Sequence, residues 1–159
     1  MKKISKEFWK IFLKGKNSMD EKIKAKILKL RKKAKVAYVG SVNEDGFPQV
    51  KAMLVFERDG LKTQYFSTNT SSKRASQFLK NPRACVYYCD EKGFVGALFT
   101  GTIEVLTDHE SKAMLWRPGC EMYYPKGVDD EDYCVYKFTA ETVNCYHNLS
   151  NQTYQIDEL

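Results

Sequence analysis

Absences set the first bounds. No apolar run in the 159 residues approaches the roughly 20 needed to span a bilayer. The lysine-rich start has neither a continuous apolar stretch nor a small-residue cleavage site, so no membrane anchor or secretory leader is expected and the expected location is the cytoplasm. The five cysteines, Cys85, Cys89, Cys120, Cys134 and Cys145, are odd in number and include no CxxC pair, which argues against a disulfide framework and a zinc knuckle. They read as buried thiols, and no metal site is expected. Only two histidines occur, His109 and His147, neither in HExxH nor beside a Ser or Cys nucleophile motif, so hydrolase readings lose ground. GxGxxG and GxxxxGK[ST] are both missing, which removes a Rossmann dinucleotide site and a P-loop.

What is present describes one folded domain. Hydrophobic residues make up 43% and charged residues 29%, as in ordinary globular chains. Ten tyrosines and nine phenylalanines suit strands better than helix surfaces. The net charge of +6 is uneven: residues 1–35 carry 14 Lys/Arg against 3 Asp/Glu, and the rest carries 12 against 17. The basic segment lacks aromatic interleaving and helix-turn-helix punctuation, so it reads as a solvated helical face and nucleic-acid binding is not expected.

Periodicity divides the chain. Ile4, Phe8, Ile11 and Phe12 suggest a short amphipathic helix within an N-terminal extension, residues 1–19. Ser18-Met19-Asp20-Glu21 has the form of a capping box, and Ile23, Ile27 and Leu30 follow at helical spacing, which predicts a helix over 20–34. Strands are predicted over 36–42, 49–57, 63–67, 84–89, 95–106, 133–139 and 142–147, with turns at Asn43–Gly46 and Arg58–Gly60. Helices are predicted over 72–80, with Ala75, Phe78 and Leu79 on one side, and over 108–116; residues 117–132 read as a loop and 150–159 as a polar tail. Seven or so strands, mostly joined by hairpins, fit a small antiparallel barrel with helical additions.

One segment gathers groups suited to an anion. A predicted strand runs through Phe66-Ser67-Thr68-Asn69-Thr70-Ser71-Ser72 into a helix whose first turn holds Lys73 and Arg74. Hydroxyls, free main-chain N–H groups, the helix dipole and two cations would together hold a phosphate. The plainer reading, in which Ser71 or Ser72 caps the helix while Lys73 and Arg74 face water, stands level with it on local physics. Lys51 is a further cation: if Val50, Ala52, Leu54 and Phe56 face the core, Lys51 reaches outward to an anion.

The order Asp45-Gly46-Phe47-Pro48-Gln49-Val50-Lys51-Ala52-Met53, then Tyr65-Phe66-Ser67-Thr68-Asn69-Thr70-Ser71-Ser72-Lys73, then Asn81-Pro82, resembles the FMN-binding split-barrel proteins related to pyridoxamine 5'-phosphate oxidase. Gly101-Thr102-Ile103-Glu104-Val105-Leu106, Trp116 and Tyr124-Pro125-Lys126-Gly127 resemble its general stress protein branch. The resemblance implies a mainly β (α+β) fold, a six-stranded antiparallel Greek-key split barrel over residues 20–149 with N-terminal and peripheral helices. It also implies a homodimer with FMN at the interface. Carried onto this chain, the cofactor-binding positions are Lys51, Ala52, Met53, Leu54, Phe66, Ser67, Thr68, Ser72, Lys73 and Arg74, with Lys51 standing where the family has Arg.

Tyr65 and Phe66, with the main chain around Met53 and Leu54, are expected against the flavin ring. Phe56 stands near the place of a further Lys in the vitamin-producing oxidases. The end Asn148-Leu149-Ser150-Asn151 has no counterpart of their substrate-binding Arg and His, so authentic pyridoxamine-phosphate oxidase activity is not expected. The implied function is a flavin-dependent oxidoreductase for a small reducible substrate or NAD(P)H, with no catalytic residue assigned. The alternatives are a non-catalytic flavin-binding stress-response module and a barrel that binds haem or deazaflavin.

Overall fold

The computed structural model describes residues 19–56 and 58–156; the helix expected at Ile4–Phe12 lies outside them. The first described helix, α1 (Glu21–Lys33), lays Ile27 and Leu30 onto the sheet and ends in Arg31-Lys32-Lys33, cations that complement the helix dipole. Its cap is Asp20, whose carboxylate accepts the Lys22 N–H at 3.0 Å. The chain then enters β1 (Val36–Val42), turns, and returns as β2 (Pro48–Leu54). Asn43 makes the turn: its side-chain oxygen accepts the N–H groups of Asp45 and Phe47, and Gly46 supplies a φ of 84°. β2 stops three residues short of the predicted end, and Arg58–Asp59 form a two-residue strand, β3, before β4 (Thr63–Asn69).

After β4 come α2 (Lys73–Lys80), β5 (Arg83–Asp90), β6 (Val95–Leu106), α3 (His109–Leu115), two short 3-10 turns, β7 (Tyr133–His147) and β8 (Ser150–Gln155). All pairings are antiparallel, in the order β2-β1-β5-β6-β7-β4-β3, with β8 added to β7. The six long strands β2, β1, β5, β6, β7 and β4 form the wall of the α+β split barrel. The sheet does not close: β2 runs near β4 without a ladder between them.

Two expectations change at the C-terminal end. The strands predicted over 133–139 and 142–147 are one strand, because residues 140 and 141 exchange partners without turning. Ala140 N–H donates to Lys62 on the β4 side, whereas the Glu141 carbonyl accepts Ile156 N–H beyond β8. A bulge opposite, at Thr100/Gly101, absorbs the misfit, and a Cβ on Gly101 would collide with the Thr139 carbonyl. Residues 150–155, read as tail, form β8 instead. Asn148 and Leu149 take positive φ in a two-residue hairpin, and Tyr154 alone anchors the strand in the core.

The core has two parts. Inside the barrel Val39, Phe66, Phe78, Val86, Tyr88, Phe99, Tyr136 and Val143 pack together, and on the other face of β4 and β7 a smaller cluster of Leu115, Tyr124, Tyr133 and Val135 sits beneath α3. Arg31 is almost fully buried. Its guanidinium donates to the carbonyls of Gly60 and Thr63 and to Gln64, and rests on the rings of Tyr88 and Phe99.

Candidate functional site

Alternation along β4 separates the expected contacts. Gln64 and Phe66 point into the barrel and Phe66 is fully buried, so its ring packs in the core and only its main chain can border a ligand. Tyr65, Ser67 and Asn69 point the other way, toward the loop after α3. Ser67 meets the phenols of Tyr124 and Tyr133, and burial pushes Tyr124 up to about 12.

At the strand's end the turn Asn69–Ser72 is held by a residue 61 to 63 positions further along the chain. The Asp132 carboxylate accepts from Asn69 Nδ2 at 2.9 Å, Thr70 Oγ1 at 3.1 Å and Ser71 N–H at 2.8 Å, and the Asp132 carbonyl takes Thr70 N–H. These donors, Asn69 foremost, hold the Asp132 carboxyl at about 2. Its chain is set in turn by Asp130, which accepts the N–H groups of Lys126 and Asp132 and whose carbonyl binds Lys112.

The donors of Thr70 and Ser71 are thus engaged, and the groups left for an anion lie one step on. Ser72 caps α2, its Oγ accepting the Ala75 N–H at 3.1 Å, and also meets the Tyr136 hydroxyl at 3.0 Å. Thr68 is a second hydrogen-bonding neighbour of that phenol. Lys73 is exposed. Arg74 is half-buried, with its Nε enclosed and without a partner among the described residues. Burial lowers its pKa, partly offset by Tyr136, whose own phenol burial pushes up. A buried N–H without an acceptor is costly, and an incoming anion would supply the acceptor. The capping reading and the anion reading of Ser72 are therefore compatible, because the cap uses the serine oxygen while the unused donor belongs to Arg74.

Lys51 belongs to the inner face. Register places it opposite Val39, which lies opposite Val86 in the barrel core, and Met53 of the same face is buried. Lys51 nevertheless stays exposed because β2 borders the open seam toward β4. The condition that Val50, Ala52 and Leu54 face the core is overturned: all three are exposed, and Leu54 is 62% accessible. Their face instead continues through Tyr38 of β1 and Tyr87 of β5 as an uncovered apolar stretch. On α2, Ala75 and Phe78 are buried but Leu79 points to solvent, 74% exposed. The one-sided grouping of these three therefore fails at Leu79.

This open sheet, with its turn, is found in known proteins. A family model described as pyridoxamine 5'-phosphate oxidase matches residues 23–147. The chain belongs to that family. Within the pyridoxamine 5'-phosphate oxidase family it falls in the general stress protein branch. A Clostridium acetobutylicum structure of a protein related to general stress protein 26 of B. subtilis shares 44% identity, over 87% of this chain and 97% of that one, with a TM-score of 0.79. General stress protein 26 of Bacillus anthracis superposes with a TM-score of 0.70 at 17% identity, over 84% and 98% of the chains. An F420 reductase shares the fold at a TM-score of 0.57 and 19% identity, over 72% and 93%. A comparison with curated proteins gives no match.

Of the residues expected to hold a cofactor, Thr68, Ser72 and Arg74 are brought together around Tyr136, with Lys73 beside them on the first turn of α2. Lys51 lies on the inner-face edge of β2, and Ala52 and Leu54 lie on the outer face. Met53 and Phe66 are core, and Ser67 serves the tyrosines under α3. Tyr136 and Asp132 escaped the sequence reading. Tyr136 sits in an aromatic strand where nothing local distinguishes it from Tyr133, and Asp132 is one of several acids in an acidic loop. His109 is an exposed partner of Asp129 at 2.7 Å, and His147 lies near the β7–β8 turn. No cluster of metal-ligating side chains occurs among the described residues, and none of their helices is long and apolar enough to cross a membrane.

Proposed function

We propose that this chain binds FMN, with the phosphate at Thr68, Ser72, Lys73, Arg74 and Lys51, and works as a flavin-dependent oxidoreductase on a small reducible substrate or with NAD(P)H. The observation that carries the reading is the enclosed Nε of Arg74, without a partner among the described residues, at the start of α2 beside two hydroxyls. A phosphate there accepts from Arg74 and from the first N–H groups of the helix, which have no partner within it. Lys73 adds charge from the exposed side and Lys51 from the β2 edge. Lysine at position 51 gives a point charge without the bidentate fork of arginine, so Arg74 is the group that fixes phosphate orientation. FMN, when bound, supplies hydride and single-electron chemistry.

The uncovered face of Val50, Leu54, Tyr38 and Tyr87 supports a homodimer in which the cofactor lies at the interface, since a second copy would cover apolar area that a monomer leaves in water. The cytoplasm suits a chain with free thiols throughout. A second reading replaces FMN with a deazaflavin, and the shared fold with an F420 reductase favours it; the same phosphate-holding residues serve both. A visible spectrum of the purified protein, followed by reconstitution with FMN and with a deazaflavin, decides between them. Bound FMN that oxidises NAD(P)H in the presence of an acceptor is the expected result. Bound but unreactive FMN would favour a non-catalytic stress-response module, and failure of FMN to bind overturns the proposal.

A further inference from the structure

A cavity of about 190 Å³ lies away from the α2 turn, where α1 covers the ends of β6, β7 and β8. It follows from how α1 is fastened. Arg31, near the helix C-terminus, is bound into the barrel floor through Gly60, Thr63 and Gln64, whereas among the described residues no side chain of Glu21–Leu30 hydrogen-bonds to the sheet. The inner face meanwhile extends outward by one strand, because Cys145 faces Ala97 on one side and Gln152 of β8 on the other, and His147 faces Ser150. The N-terminal half of α1 spans this wider floor without filling it.

The walls are apolar: Ile23, Ile27, Leu30, Val95, Ala97 and the thiol of Cys145. Burial pushes that thiol up to about 11, so it stays neutral, and the Tyr154 hydroxyl is already spent on Gln152 at 2.8 Å. The rim is different. Lys26 and His147 line it, and among the described residues neither has a hydrogen-bond or ion-pair partner and no carboxylate is in the lining. Asp20, whose charge reaches Tyr154, is engaged as the cap of α1.

We infer that this cavity binds a small amphipathic carboxylate, an unbranched acid of about six to eight carbons, since a dry cavity of roughly 150 Å³ already accepts benzene. The tail lies along Ile27, Ala97 and Cys145 and the carboxylate meets Lys26 and His147. Each methylene buried adds about fourfold in affinity until the cavity is full. The inference stands apart from the flavin proposal and shares no residue with it.

The test is a titration of the full-length chain with sodium butanoate, sodium hexanoate and 1-hexanol, followed by calorimetry and by NMR shifts at Ala97 and Cys145. Hexanoate, with two more methylenes, is expected to bind about sixteenfold more tightly than butanoate. Lys26→Glu, an exposed substitution that leaves the core intact, is expected to weaken hexanoate about tenfold or more while 1-hexanol changes by less than about twofold. Shifts confined to the α2 turn, no response to millimolar hexanoate, or equal hexanoate binding by Lys26→Glu would each overturn it.

Discussion

The Asp132 carboxylate accepts the Ser71 main-chain N–H at 2.8 Å, so an internal anion occupies the seat that the turn of Asn69–Ser72 offers. The first prediction follows from its pKa. A carboxyl held at about 2 against an ordinary 3.8 adds stability that is fully present above pH 4 and is lost as the pH falls toward 2. Asp132 is half-exposed, so screening reduces this to about 1 kcal/mol. Asp132→Asn is expected to be less stable by that amount at pH 7 and to converge with the parent near pH 2, as measured by urea unfolding at both pH values.

Arg74 provides the second. Arg74→Ala removes the donor that the proposed phosphate would satisfy, and FMN affinity is expected to fall about tenfold or more. Arg74→Lys keeps the charge and recovers only part of it. Thr70→Ala, whose hydroxyl is committed to Asp132 and Glu131, is expected to change FMN affinity by less than about threefold. Fluorescence quenching of FMN reads all three. Undiminished FMN binding by the Lys73→Ala, Arg74→Ala double variant would remove this segment from the site.

Phe66 separates packing from binding. Its ring is fully buried, so Phe66→Ala opens a core cavity and is expected to cost about 3–5 kcal/mol in denaturant unfolding. Met53→Leu preserves volume and should cost under about 1.5 kcal/mol.

The exposed sheet face supplies a fourth. Leu54→Asp together with Val50→Asp places charge where a second copy would pack. Light scattering is expected to report a monomer with an unchanged far-ultraviolet spectrum, because both side chains already lie in water in the single chain. A persistent dimer would move the interface elsewhere.

Much of the barrel was legible because its signals are local. Alternation marked β1, β4, β5 and β6, Asn43 and Gly46 marked the first hairpin, and Ser72 and Asp108 marked the helix starts. The misses share a cause. β8 carries one buried residue, Tyr154, in an otherwise polar run, so its pairing is dictated by β7 and not by its own pattern. Residues 140 and 141 resembled a break because the exchange of partners occurs in the neighbouring strands. The face of Leu54 could not be fixed from β2 alone, since period-two alternation defines two faces and leaves open which is buried. At the site, Ser72 and Arg74 were visible as a turn entering a helix. Asp132 and Tyr136 reach it across the β4–β7 ladder, a contact with no counterpart in local sequence.

That ladder also sets an order of events. On a growing chain the segment 68–74 is made about sixty residues before Asp132 and Tyr136, its partners across β7, which amounts to several seconds of synthesis at ordinary rates of about 5–20 residues per second. Until then Ser71 lacks the Asp132 carboxylate, and among the described residues β4 has no ladder partner but the two residues of β3. The clasp on this turn is therefore among the last parts of the domain to form, and a fragment ending before residue 132 has neither Asp132 nor Tyr136 to hold it.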